Sequence, residues 1–547
     1  MAVSASSGSP ASAISKPGSM FFGDARSCKD WLKVIPLTNV PQAQQKLLDA
    51  LRIMNRSSDF APLERLTCLE LLRDKVAFLL GEQRARYVGK TLPLSNTDMA
   101  GWNVSNALLT EMESGYRRCY QDAQRDDSPL GAHAALIIQR IVRYIGLGML
   151  MAGYIYRRFD NAMWMRLHLQ WIEAESRGVT TSKVKDSIGT NDGYSSVSQA
   201  YVAVMLGQLA NILELSPREI EFVDAVIRRF AGKVVVGTID TAGAPNAHGV
   251  SLAVDLLSNA GASFHALSAA AEHVRFFDVS ELSKSLRRRA KKLSEGAEPA
   301  TVDLPTDWSS SEAYAQLSRL HKLWCEGNAP RPIATIPAEA DAIVAFGIAE
   351  THFFLSGDLF EQPGVKRELT RQEMSDIAMF GRVSESTIRA RYAEFNYGSE
   401  TWPVVDESRG QLRVLRPANS TRGVAIGRLV GVRLGKAGEF YLSVVRELAE
   451  ETPGHFTVTL ALLPGKPEAI SVRSNDGKVR SATYTQGFRL PPMESLGTPE
   501  TLIVPSNLSP RGRSIDIYHQ GHGSAKPVTV VDFVERGTDF DRVTIAG

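Results

Sequence analysis

Cysteine is scarce in this chain, and the few residues present form no pattern. Cys28, Cys68, Cys119 and Cys325 lie far apart, with no C-x-x-C pair and no adjoining histidine cluster. That spacing excludes a zinc finger and a disulfide scaffold, and it suits a reducing compartment. Long apolar runs are also missing. The longest, Tyr144 to Tyr156, is fenced by Arg140, Arg143, Arg157 and Arg158. It falls well short of the roughly 20 residues a membrane span requires and reads as a buried core helix. Charge of one sign is lacking too: 62 basic against 60 acidic residues leave a formal net charge of +2, too little for a whole-protein field that would draw in nucleic acid. Catalytic signatures are absent: the ten histidines are scattered without an H-x-x-x-H pair, and neither G-x-S-x-G nor H-E-x-x-H occurs. The sequence therefore does not read as an enzyme, and no metal or cofactor is expected. The first residues have neither the basic start nor the apolar stretch of a signal peptide, which points to a cytoplasmic protein.

What is present divides the chain by period. With 547 residues there is too much sequence for one core. The Ser/Ala/Pro/Gly-rich tail at 1–22 reads as disordered. From 23 to 232 the apolar residues recur at helical spacing, as in Leu66, Leu69, Leu72, Val76 and Leu79. The run Ser216-Pro217-Arg218-Glu219 carries the residues of a helix start. Residues 233–395 read as a mixed, mainly helical middle. It has a strand at Val234–Val236 and a basic helix capped by Ser280 and closed by Gly296. Helices are expected at Ala338–Phe354 and at Arg371–Phe395, the latter broken near Gly381.

At Trp402 the period changes to two. Short alternating strands follow at hairpin spacing through Arg473, with turns at Gly435–Gly438 and Glu451–Gly454. A second β set continues to the C-terminus. The predicted fold is multidomain α+β: a large all-α N-terminal region, a mixed middle, an antiparallel β-barrel at 396–475 and a β-rich extension at 476–547.

The barrel opens with Asp406-Glu407-Ser408-Arg409-Gly410 and has arginines upstream of it. With the strands GRLVGVR and FYLSVVREL, this stretch resembles the PilZ domain, a bacterial module that binds cyclic di-GMP. The helical N-terminal region and the tail beyond Asn475 are similar to those of large PilZ proteins. The resemblance implies a signalling adaptor. In it, Arg389 and Arg391 clamp phosphate and guanine, Asp406 and Ser408 read the guanine edge, and Gly410 leaves room for the ligand. The chemistry is sound, because arginine offers bidentate donors to phosphate oxygens and to guanine O6/N7. The family pattern acid-x-Ser-x-x-Gly has its glycine one place early here, with Gln411 at the expected position. The R-x-x-x-R arm is replaced by Arg382, Arg389 and Arg391 at other spacings.

Two other readings stay open. One is a PilZ-like protein-interaction adaptor that has lost nucleotide binding. The other is a helix-turn-helix over Thr370–Arg391, turning at Gly381, with Ser384–Arg391 as the recognition helix. The glycine-bounded polar cluster at Asp406 also has the composition of a simple turn.

Overall fold

The computed structural model describes residues 21–546 apart from 126–127, 191, 247, 267–271, 328–335, 338–339, 366–367, 385, 388–389, 391–394, 396, 409, 436–437, 476–482, 509 and 520–523. The expected N-terminal tail lies outside the described residues as far as position 20. Phe22 is buried against Trp31 and Phe60.

The N-terminal region is helical, as its 3.6-residue period requires. Its principal helices are α1 (Ala25–Lys33), α2 (Val40–Arg56), α3 (Pro62–Tyr87), α4 (Asn96–Ala123), α5 (Ala134–Gly153), α6 (Asn161–Ser176), α7 (Val197–Leu209) and α8 (Pro217–Phe230). Several begin where the sequence supplies a cap. Ser216 and Glu219 exchange hydrogen bonds across the first turn of α8, with Pro217 at the first helical position. Among the described residues α5 is the one helix long and apolar enough to cross a membrane, and most of its apolar window is buried inside the helical region. Deep in that region Arg140 chelates Glu70 and donates to the Lys185 carbonyl, while Arg73 pairs with buried Asp186 at 2.6 Å. These buried charges are matched by partners, which such burial demands.

The middle region combines a sheet with two packed helices. Strands β1 (Val235–Gly237), β2 (Val250–Asp255), β3 (Ser263–Ala266) and β4 (Val274–Asp278) lie in the order β1-β4-β2-β3, all antiparallel. Helices α9 (Ser280–Ser294) and α10 (Ser310–His321) follow. The basic helix is confirmed as α9, but its expected cap is corrected. Ser280 is the first helical residue, and its N–H donates to Asp278 rather than its hydroxyl accepting from the helix. Nor are all of its cations solvated. Arg289 is buried over the Phe230 ring, bonded to Ser285, Asp303 and the Val302 carbonyl.

The expected helix over Ala338–Phe354 is a strand followed by a helix: β5 (Asp341–Phe346) and α11 (Gly347–Ser356). The strand won because both of its flanks are needed to close a barrel. β5 pairs on one side with β6 (Ser399–Ser408) and on the other with β8 (Leu429–Leu434). β7 (Gln411–Leu415), β9 (Tyr441–Thr452) and β10 (His455–Leu462) complete the circuit β5-β6-β7-β10-β9-β8. The first barrel thus takes its opening strand from upstream of residues 396–475. A second closed six-stranded antiparallel barrel follows. Its strands are β11 (Glu468–Asn475), β12 (Thr485–Leu490), β13 (Thr501–Pro505), β14 (Ser514–Tyr518), β15 (Lys526–Arg536) and β16 (Phe540–Ala546). The expected β extension is this barrel, and it begins inside the stretch assigned to the first. Closure removes every exposed strand edge, which an open extension would have left.

The interior of the first barrel, including Trp402, Val404, Leu412, Val414, Val458 and Leu460, belongs to the same continuous core as the helical region. The second barrel holds its own core of Ile470, Val472, Leu502, Val504, Ile515 and Val543. A small apolar cluster (Leu429, Leu442, Val444, Phe488, Ile503 and Phe540) joins the two barrels, with Ile348 and Leu355 of α11 packed against it.

Candidate functional site

The hairpin β6–β7 places the polar residues. Ser408 pairs with Gln411, Glu407 with Leu412 and Asp406 with Arg413, so a two-residue turn connects the strands. Gly410 sits in that turn at φ +79°, a conformation side chains with a Cβ rarely adopt. A Cβ there would meet nothing within 4 Å. The glycine at this position therefore serves the backbone of the turn.

Directly opposed residues in a ladder share a face. A register shift at the Arg413–Val414 step puts Trp402 and Val404 inside, and Asp406 and Ser408 outside. Asp406 faces Arg413, Arg413 faces Thr459, and Thr459 faces Glu447. The four form one transverse row across β6, β7, β10 and β9, on the outer surface of the barrel. Asp406 accepts a close charge-assisted hydrogen bond from Arg413, and the Thr459 hydroxyl donates to Glu447 at 3.3 Å. The carboxylate side chain of Asp406 is only 9% exposed, whereas that of Arg413 is 43% exposed. Its Nε nonetheless is enclosed and, among the described residues, has no hydrogen-bond partner. With the side chain half exposed and, among the described residues, Asp406 alone taking one of its donors, the guanidinium suits an incoming anion or base edge.

The row ends at the helical region. Arg158 lies 3.7 Å from Glu447 and 2.8 Å from Glu451. Beside it, Arg157 donates to the fully buried Glu450 carboxylate at 2.6 Å while its guanidinium covers the Trp102 ring. The backbone joins as well: the Glu450 N–H donates to the Tyr156 carbonyl at 2.7 Å. A second reciprocal backbone contact links Leu92 and Val424, at 2.8 and 2.9 Å. The polar row is therefore continuous from the Asp406 end to a rigid seam with the helices.

Of the residues chosen from the sequence, the hairpin brings Asp406, Ser408 and Gly410 together. Arg389 and Arg391 lie outside the described residues. Arg413, Thr459 and Glu447 were missed. The signal for Arg413 was present: a two-residue turn centred on 409–410 pairs any two positions equidistant from it, and Asp406 and Arg413 are such a pair. The Thr459 and Glu447 contacts depend on non-local strand order and had no local signal.

The helix-turn-helix stretch has a different local economy. α12 (Arg371–Phe380) is capped by Thr370 and Glu373. Its Asp376 accepts the hydroxyls of Ser384 and Thr387 at 2.7 and 2.6 Å, along with the Ser384 N–H at 3.0 Å. Those bonds, that of Thr387 foremost, hold the carboxyl down at about 2. Two of the three hydroxyls that a recognition helix would present to a groove, those of Ser384 and Thr387, are spent on this turn. The remainder of that expected helix falls in part outside the described residues.

Glu350 and His352 of α11 stand apart from the row. Glu350 pairs with Arg422 at 2.8 Å, and burial raises its carboxyl above the ordinary range. His352 is buried between the rings of Phe360 and Phe488 at the junction of the barrels, where desolvation lowers its imidazole to about 4.

Residues 26–240, from α1 to just past β1, match the family model described as "Cyclic-di-GMP receptor FimW, N-terminal domain". Over its length the chain is similar to the protein named Cyclic-di-GMP receptor FimW of Pseudomonas aeruginosa. The two are 21% identical over 548 aligned positions that take in 91% of this chain and 86% of that protein. The likeness thus extends well beyond the residues that the family model covers.

Proposed function

We propose that this protein is a bacterial receptor for cyclic di-GMP, non-enzymatic and cytoplasmic, with a PilZ-like first barrel that binds the dinucleotide on its outer face. The observation that carries this reading is the transverse row Asp406–Arg413–Thr459–Glu447, with Ser408 beside it and Arg158 at its far end. The similarity to a protein named as a cyclic-di-GMP receptor supports it. Arg413 supplies the fork for a phosphate or for guanine O6/N7, and Arg389 and Arg391 are its proposed companions in the upstream arm. Asp406 and Ser408 accept guanine N–H groups once the ligand has drawn Arg413 away from Asp406. The Asp406–Arg413 pair is then the ligand-free latch. Its opening alters the charge facing Thr459 and Glu447, and through Glu447 the hold on Arg158. Because the helices and the first barrel share one core, a change at this seam reaches the helical region without a flexible linker.

The test is calorimetric titration of cyclic di-GMP into the full chain, the wild type beside Asp406→Ala and Arg413→Gln. Saturable heat that both variants weaken supports the reading; absence of heat at ligand concentrations far above micromolar sinks it. The second reading, an adaptor without a nucleotide, draws on two observations. The Asp406 carboxylate is already engaged by Arg413, and Gln411 stands on the same face as Ser408, where the family pattern has glycine. Under it, cyclic di-GMP gives no heat, and Arg158 variants still disturb partner binding.

A further inference from the structure

A second polar pocket lies in the middle region, remote in sequence from the barrel row. It has a volume of about 340 Å³, within the range of small-ligand sites. Phe264 of β3 and Phe277 of β4 line it with aromatic rings. Its polar wall comes from one face of α9, Ser283, Lys284 and Arg287, and from His321 at the end of α10.

The wall is a connected network. Arg287 Nη2 donates to Ser283 Oγ at 3.0 Å, Ser283 Oγ lies 2.9 Å from His321 Nε2, and His321 Nδ1 lies 3.1 Å from Glu326. With Nδ1–H facing a carboxylate, Nε2 is the acceptor and takes the Ser283 hydroxyl proton. Ser283 Oγ is thereby oriented to accept from Arg287. What brings Glu326 onto the same face as His321, five residues earlier, is a π-helical turn at Lys322–Glu326. An α-helix would swing position i+5 well away from position i. Wide turns of this kind are uncommon and concentrate at functional sites.

The charges of the pocket are unequally spent. Its two carboxylates are occupied: Asp278 accepts the Ser280 N–H at 2.9 Å, and Glu326 is held by His321. Arg287 meets no carboxylate within ion-pair distance among the described residues and has given one N–H to Ser283. Among the described residues Lys284 makes an ion pair with the exposed Glu281 alone, a contact worth little in water. The lining of the pocket therefore offers both cationic donors and flat rings.

We propose that this pocket binds a small phosphorylated aromatic molecule of the nucleoside-monophosphate class, with the phosphate on Arg287 and Lys284 and the ring against Phe264. The site is separate from the barrel row and independent of the cyclic di-GMP reading. A bidentate guanidinium–phosphate contact supplies much of the affinity, so its loss costs about tenfold or more.

The test uses the full chain, titrated calorimetrically and by thermal shift with GMP, AMP, guanosine and inorganic phosphate as separate probes. The expected result is saturable binding of a mononucleotide, tighter than that of guanosine or phosphate alone. Arg287→Gln weakens it about tenfold or more while leaving the cyclic di-GMP titration of the same sample unchanged. Phe264→Leu, which keeps the apolar volume but removes the ring, weakens the mononucleotide and spares phosphate. Absence of binding of both mononucleotides at millimolar concentration overturns the proposal. So does binding that Arg287→Gln leaves intact, or binding that Arg413→Gln abolishes, which would place the probe on the barrel instead.

Discussion

The two barrels have the same strand count and the same antiparallel closure, yet they use their charges in opposite ways. In the second barrel two arginines of the sheet are matched within the barrel itself. Arg473 is held by Asp516, whose side chain is 2% exposed and which also accepts from Asn475; Arg489 is clamped between Glu468 and Glu500. In the first barrel, Arg413 has, among the described residues, one buried partner and a half-exposed side chain. The second arrangement is a structural staple, whereas the first leaves chemistry available. Their settings differ to match. The first barrel shares its core with the helical region, and the second keeps a separate core and touches the first across a small apolar cluster. Closure alone does not make a site. What matters is whether the outward row is balanced internally or left open beside a seam.

Four experiments test that contrast. The largest effect is expected from Asp516→Ala, which leaves Arg473 without its buried partner. The second barrel should lose about 3 kcal/mol, measured by chemical unfolding, with cyclic di-GMP affinity of the folded protein unchanged. Next comes the junction between the barrels. The imidazole of His352 is lowered from an ordinary 6.5 to about 4, so the folded state takes up its proton less readily than the unfolded chain. Stability is then fully present above pH 6.5 and falls as pH drops through the window from 6.5 to 4, by roughly 3 kcal/mol at most. His352→Leu should flatten the melting-temperature profile across that window. Third, Arg413→Gln should reduce cyclic di-GMP affinity about tenfold or more in calorimetry, with a stability change near 1 kcal/mol because the arginine is half exposed. An unchanged affinity would make the first barrel as closed to ligand as the second. The smallest effect belongs to Arg158→Gln. Its bonds to Glu447 and Glu451 are surface pairs worth less than about 1 kcal/mol. Binding should hold within a few-fold, while the amide-exchange response of the helical region to ligand should weaken.

Much of the chain could be read locally. The capping box at Ser216–Glu219 and the helix ending at Phe380 before Gly381 follow from short-range backbone chemistry, and both occur. The failures have two causes, one non-local and one a helix boundary displaced by a residue. Asp341–Phe346 is a short apolar run, compatible with a buried helix turn or a strand buried on both faces, and only its pairing with Ser399–Ser408 and Leu429–Leu434 decides between them. Ser280 reads as a cap because it precedes a helical period, but the helix already includes it, with Val279 at the cap position and Asp278 accepting the Ser280 N–H. At the site, Asp406 and Ser408 were visible as residue types. Arg413 could have been placed by counting back from the turn, but Thr459 and Glu447 could not.

The sequence by itself determined the alternation of periods, hence a helical region followed by β modules. It also determined the two-residue turn at Gly410, because a left-handed backbone there needs glycine. Tertiary structure alone decided that two barrels close, that the first borrows a strand from upstream, and that Asp406, Arg413, Thr459 and Glu447 fall in one row ending at Arg158. Caps and turns are set within a few residues of chain. Strand order, register and the seam depend on which distant segments exclude water together, and no local pattern encodes that choice.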